Sequence, residues 1–230
     1  MELIENSKGW IYSDREIEVF FGKKTFSERC TATNKDLPLN FLKQIHGDKI
    51  ILQNITNSSE EHPKEGDAHF SAFANIALAI KTADCMPLMI FAKSKTSESS
   101  HVLAIHAGWR GVAQRLIPKG LSKLIELGYV ADEIKIWVGP HIMLKSFEVK
   151  SDAIALLNSA GDAAGCITQL GDKTFFDLTE LAQRQIQEFK IPKTHLHVLK
   201  IDSFERLDLH SYRRDKDKAG RLISYIFKRV

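Results

Sequence analysis

Hydrophobic positions in the first half of the chain come in short runs, separated by polar and turn-forming residues. Trp10-Ile11-Tyr12 and Ile17-Glu18-Val19-Phe20-Phe21 are β-rich and spaced for an opening hairpin. Residues 41–52 carry more β-formers around His46-Gly47, and the polar stretch 57–66, with Pro63, reads as a loop. Three apolar runs follow at 76–80, 88–91 and 102–105. Their lengths fit strands buried on both faces, although periodicity alone does not separate these from buried helix. The Lys/Ser/Thr/Glu stretch 93–100 is an exposed connector. Cys85 is thereby placed in a turn between two strands, and His106 at the C-terminal tip of a third.

A helical period takes over after Gly111. Val112, Leu116, Leu121, Leu124 and Ile125 recur close to helical spacing, and Gly128 supplies a stop. Pro118 predicts either a kink or a helix that begins near it. Residues 134–138 form another strand that ends at Gly139-Pro140. Segments 152–159 and 177–189 are helix candidates, and 195–199 and 222–227 are closing strands. No repeat, low-complexity tract or Gly/Ser/Pro linker divides the chain. Residues 1–230 are therefore expected to form one mixed α/β domain.

At 230 residues and 43% hydrophobic the chain can bury a sizeable core. A net charge of +3 gives no argument for nucleic acid as a partner. No apolar stretch approaches the roughly 20 residues of a membrane helix, and the N-terminus lacks the basic-then-apolar order of a signal peptide. The expected compartment is the cytoplasm, which suits three sparse cysteines. Cys30 and Cys166 read as plain thiols. The run 213–218 is interrupted by acids and reads as a solvated turn or a local anion site.

His46, Cys85 and His106 each stand beside turn-forming residues. Together they make a nitrogen-and-sulfur donor set suited to zinc, with copper as a possible substitute. Three ligands without an obvious fourth leave a coordination position open, as in catalytic sites. Their spacings of 39 and 21 residues match no local finger pattern. The alternative is two unrelated histidines and a core thiol. Asp84 is a candidate general base, a carboxylate that orients a ligand, or a turn cap. Arg110, after Ala107-Gly108-Trp109, suits phosphate oxygens, or else forms a surface ion pair. Trp109 is either a stacking surface or a core residue, the latter preferred. Gln44 would share a strand face with His46 and either bind substrate or pair strands. Arg213 is preferred to Arg214 as the arginine that enters the site, with the other left in solvent. His195-Leu196-His197 reads as sheet surface, and His141 is not assigned to the site.

Five segments occur in order: Gln44-Ile45-His46-Gly47, Thr82-Ala83-Asp84-Cys85-Met86-Pro87, His106-Ala107-Gly108-Trp109-Arg110-Gly111, Val138-Gly139-Pro140-His141-Ile142 and Ser211-Tyr212-Arg213-Arg214-Asp215. Together they resemble the YfiH-like family, long labelled polyphenol oxidase or laccase-domain proteins and now regarded as zinc-dependent purine nucleoside enzymes. The resemblance implies layered mixed β-sheets flanked by helices, and a metal held at His46, Cys85 and His106. It implies phosphorolysis of adenosine, inosine, guanosine and methylthioadenosine, and hydrolytic deamination of adenosine, with nucleoside and phosphate as partners. The older label implies a copper phenol oxidase; a metal-stabilised binding module without catalysis is the third reading. The chain departs from the family in its short N-terminal region, with Phe21-Gly22-Lys23-Lys24 for an Arg-Gly-Gly-type segment. Ile201-Asp202-Ser203 stands where a Cys-Thr pair is usual, and Asp215-Lys216 where Asp-Gly is usual.

Overall fold

The computed structural model describes residues 2–27, 29, 31–53, 63–159 and 163–229. In chain order the strands are β1 (Leu3–Glu5), β2 (Gly9–Ser13), β3 (Ile17–Gly22), β4 (Leu39–Phe41), β5 (Ile50–Leu52), β6 (Ala68–Ser71) and β7 (Ala77–Thr82). They continue as β8 (Met86–Lys93), β9 (Ser100–Ala107), β10 (Ile134–Val138), β11 (Ile167–Leu170), β12 (Lys173–Phe176), β13 (Leu196–Val198) and β14 (Leu222–Lys228). The helices are α1 (Trp109–Ala113), α2 (Leu116–Glu126), α3 (Ser151–Ser159), α4 (Leu178–Gln187) and α5 (Tyr212–Asp215). None is long and apolar enough to cross a membrane.

Two six-stranded mixed sheets carry the architecture, in the orders β1-β2-β3-β14-β7-β4 and β13-β10-β8-β9-β6-β5. Alternation along each strand sorts side chains into layers. Ile17, Val19 and Phe21 of β3 and Leu78 and Ile80 of β7 meet Met89, Phe91, Val102 and Trp137 of the second sheet. The opposite faces of β8, β9 and β10 present Leu88, Ile90, Leu103, Ile105 and Ile136 to the helices. On the outer face of the first sheet, Phe20, Tyr225 and Phe227 pack with Phe26, Leu37 and Leu39. The sheets approach closely where β10 ends. A Cβ on Gly139 would lie 2.2 Å from the Phe21 ring, so only glycine fits there.

The opening hairpin, the three apolar runs, the strand at 134–138 and both closing strands occupy their expected places. The structure differs at three points. Residues 42–49 are irregular between β4 and β5 rather than part of a strand, so Gln44 and His46 do not share a strand face. The helix expected over 111–128 is two helices. Arg115 breaks it in the left-handed region at φ 61, and Pro118 falls in the first turn of α2, where its missing N–H has no helical partner to lose. β6 and the β11–β12 hairpin carry no clear sequence signal; Lys-Thr and Gly-Asp interrupt the latter. Cys30 and residues 57–62 of the expected loop lie outside the described residues; Cys166 is buried and forms no disulfide among the described residues.

Candidate metal centre and cavity

The connection Ala83-Asp84-Cys85 carries the chain from β7 in one sheet to β8 in the other, so Cys85 stands at the seam between them. Asp84 makes that crossing in a left-handed conformation, φ 83. In the antiparallel pair β8–β9, His106 lies opposite Pro87, which sets it diagonally beside Cys85. His46 arrives from the irregular segment after β4, also left-handed at φ 57. The donor atoms of His46, Cys85 and His106 all lie within 4.8 Å of one another, and among the described residues no other such group occurs.

A carboxylate that sequence reasoning missed builds this arrangement. Asp67 is fully buried. Its Oδ1 accepts from the His46 amide at 2.9 Å, and its Oδ2 from the amides of Ile45 at 3.3 Å and Gly47 at 2.7 Å. The His106 Nδ1 lies 2.9 Å from Oδ1, and the Asp67 carbonyl accepts from the His106 amide at 2.7 Å. One side chain therefore bends the His46 loop into shape and holds a proton on Nδ1 of His106, leaving Nε2 free to bind an ion. Asp67 stands at the end of a polar loop, where an acid is ordinary. Only the pairing of β6 with β9 marks it out.

Electrostatics reinforce the set. Burial would raise the Cys85 thiol, but the His106 and His46 imidazoles outweigh it and hold the thiol down to about 6. Burial would lower His106, yet the Cys85 thiolate and Asp67 raise it to about 9. Burial also raises Asp67, but His106 and the amides of Gly47 and His46 prevail and lower it. The signs set a pH window. Cys85, depressed from 9.0, contributes stability above that value and loses it as the pH falls through about 6. His106, raised from 6.5, contributes below that value and loses it as the pH rises through about 9. Between about 6.5 and 9 what one group gains the other gives up, since folded and unfolded forms of the pair each hold one proton there. Chelator-treated protein is thus expected to show a nearly flat melting temperature across that window, which thermal scans check; a steep slope there would show that the two groups do not titrate as a pair.

The residues fit a metal. The donor set is soft, a thiolate is favoured at neutral pH, and 4.8 Å is close to the span of two zinc bonds of about 2.0–2.3 Å each. Gly108 lies against all three ligands: a Cβ there would stand 3.3 Å from Cys85 Sγ, 3.6 Å from His46 and 3.8 Å from His106. Its φ of −68° is open to any residue, so the space beside the ligands is what favours glycine.

The three ligands face a cavity of about 990 Å³ that is also lined by Gln44, Asp84, Trp109, Arg110 and Arg213. Each expected site residue thus reaches one place, with different engagements. Asp84 does not orient a histidine. Its Oδ1 accepts from Ser203 Oγ at 2.7 Å and its Oδ2 from the Arg213 amide at 2.6 Å. The Gln44 amide pairs with the backbone of Lys81 in both directions at 2.8 Å, extending the edge of β7. Trp109, expected in the core, is half-exposed on the cavity wall with the Arg110 guanidinium 4.3 Å over its ring. Arg213 donates to the Glu148 carbonyl at 2.8 Å. Arg214 is not left in solvent, because 211–215 is helical rather than extended. Its guanidinium holds Asp215 and the carbonyls of Ser203, Phe204, Arg206 and Leu209. His141 is buried between the Gly139 carbonyl and Thr179 Oγ1. His197 stacks on Trp137 at 5.5 Å.

Paired mixed sheets with a two-nitrogen, one-sulfur donor group at their seam define an α/β protein with a candidate metal site. The chain belongs to the YfiH-like family, whose model, described as multi-copper polyphenol oxidoreductase laccase, matches residues 9–229. A purine nucleoside phosphorylase of Clostridium acetobutylicum is 27% identical over 83% of this chain and 77% of its own length. Purine nucleoside phosphorylase YfiH of Escherichia coli is 28% identical over 81% of this chain and 72% of its own. The crystal structure of YlmD from Geobacillus stearothermophilus superposes with a TM-score of 0.82, covering 99% of both chains at 19% identity. That likeness shows a shared fold.

Proposed function

We propose that this chain is a zinc-dependent purine nucleoside phosphorylase acting on adenosine, inosine, guanosine and methylthioadenosine. The observation that carries the reading is the three-ligand donor group opening into a cavity that presents an arginine stacked on a tryptophan. The names of the relatives support it. His46, Cys85 and His106 would hold the ion, which supplies Lewis acidity when bound. Arg110 holds phosphate, its fork matched to two oxygens. A phosphate oxygen bonds to C1′ of the ribose as the bond from C1′ to the purine nitrogen breaks. The electron pair leaves on the base, and the proton of hydrogen phosphate ends there. Trp109 offers a face for the purine. Arg213 lines the wall against substrate, and Gln44 shapes the rim through Lys81.

The same centre would deaminate adenosine. Water adds at C6 and ammonia leaves, with Asp84 taking a proton from the water and returning it to the leaving nitrogen. The contacts to Ser203 and Arg213 aim that carboxylate. A multi-copper oxidase needs several copper sites, and the described residues offer one three-ligand group.

The test is base release from a panel of purine nucleosides by zinc-loaded protein, with and without phosphate. Release that requires phosphate is expected; no turnover at full zinc occupancy would refute the reading. Arg110→Ala is expected to raise KM for phosphate by about tenfold or more, the worth of one charge-assisted contact. Arg110→Lys should recover part of it. Initial rates against phosphate concentration check both.

A further inference from the structure

Six cationic side chains line the cavity: Lys81, Arg110, Lys150, Arg213, Lys216 and Arg221. Among the described residues, none of the six forms an ion pair with a carboxylate. Elsewhere, Lys43, Lys119 and Lys145 sit on Glu65, Asp48 and Glu205. The acids on the wall are Asp84, Glu148 and Asp152. Asp84 already holds Ser203 and the Arg213 amide, and Glu148 lies 3.3 Å from Lys173. A chain with a net charge of only +3 therefore gathers unneutralised cations in one hollow, more than a single attacking phosphate engages.

Their placement divides them. Arg110 stands at the start of α1, beside Trp109. Lys81 lies on β7, opposite Ile223 of β14. Arg221, two residues before Ile223, is the diagonal neighbour of Lys81 across that pair. Lys216 follows α5 with φ 51 and ψ −131, a corner that favours glycine. Strain of this kind in a non-glycine residue on a cavity wall points to a task for its side chain. At about 990 Å³ the cavity lies at the upper end of the range for ligand sites, about 300–1,000 Å³.

We propose that Lys81, Lys216 and Arg221 form a second anion subsite, which takes the ester phosphate of a purine nucleoside monophosphate. This rests on the nucleoside reading above and narrows its substrate class: phosphorylated nucleosides bind in preference to neutral ones. The bond changes are those already described, with the ester left intact, so the products are free base and ribose 1,5-bisphosphate.

The test titrates adenosine and adenosine 5′-monophosphate calorimetrically into the zinc-loaded full chain without phosphate or sulfate. The same titrations on Arg110→Ala, which lacks the arginine for the attacking phosphate, show whether the ester phosphate sits elsewhere. The monophosphate is expected to bind about tenfold tighter or more. Lys216→Gly should cut that ratio about tenfold, and Lys216→Arg should keep it. Lys216→Gly should also raise the melting temperature by relaxing the corner, which rules out misfolding as the cause. Equal affinities of the two ligands, or an unchanged ratio in Lys216→Gly, would overturn the subsite; phosphate-dependent turnover of adenosine would then leave the nucleoside reading standing. Failure of both ligands to bind or turn over would remove both.

Discussion

Asp67→Ala is expected to be the most damaging single substitution at this centre, for stability and for metal together. It strands three backbone donors at 45–47 and the Nδ1 of a buried imidazole. Breaking a buried network of this kind costs about 3–5 kcal/mol, and in a chain of this size that lowers the melting temperature by roughly 10 °C. Asp67 is the side chain that takes the amides of 45–47, so without it the His46 turn should loosen and the ligand drift from the site. Asp67→Asn separates the two roles. It keeps the shape and one acceptor oxygen, so it should melt closer to wild type. Whichever way the amide turns, the negative charge opposite His106 Nδ1 is gone, and zinc affinity should fall about 10- to 100-fold, as for other groups that orient a metal-bound histidine. Thermal scans joined to competitive zinc titration check both variants. Zinc affinity in Asp67→Asn equal to wild type would mean that Asp67 serves the loop alone.

Cys85→Ala and His106→Ala are expected to lose bound zinc and to release base from purine nucleosides at least about a thousandfold more slowly, since the ion is asked to supply several kcal/mol of the barrier reduction. Cys85 is half-buried on the cavity wall, so with the metal removed its truncation should lower stability through the lost thiolate–imidazole contact yet leave the secondary structure in place. A chelated wild type and a Cys85→Ala chain with matching far-ultraviolet spectra, and activity restored by zinc in the first alone, would separate the metal effect from a folding one. Full activity in either variant would remove the metal from the reaction.

Much of the fold was legible because burial writes itself into runs. The strands β7, β8, β9 and β10 are apolar on both faces, and their lengths and turn residues identify them without knowledge of their partners. The convergence of His46, Cys85 and His106 was legible through turns and through the motifs around them, not through spacing. What stayed hidden depends on partners distant in sequence. Residues 42–49 hold enough β-formers for a strand, but Asp67 takes the amides of Ile45, His46 and Gly47 that a ladder would need. Helical period continues through Arg115, whose left-handed turn separates α1 from α2 and carries no warning in its neighbours. Arg214 looked like a solvent residue because its five backbone and side-chain acceptors lie along a loop whose path sequence does not give. Asp84, next to Cys85 in sequence, lies on the cavity wall, while the carboxylate that orients His106 is Asp67, just before β6.

The measurement closest to the central claim is elemental analysis with X-ray absorption on the protein purified without added metal. The account expects about one zinc per chain, with one sulfur at about 2.3 Å, two nitrogens at about 2.0–2.1 Å and a remaining light-atom donor from solvent. Absence of zinc, or a shell closed by four protein donors, would contradict it.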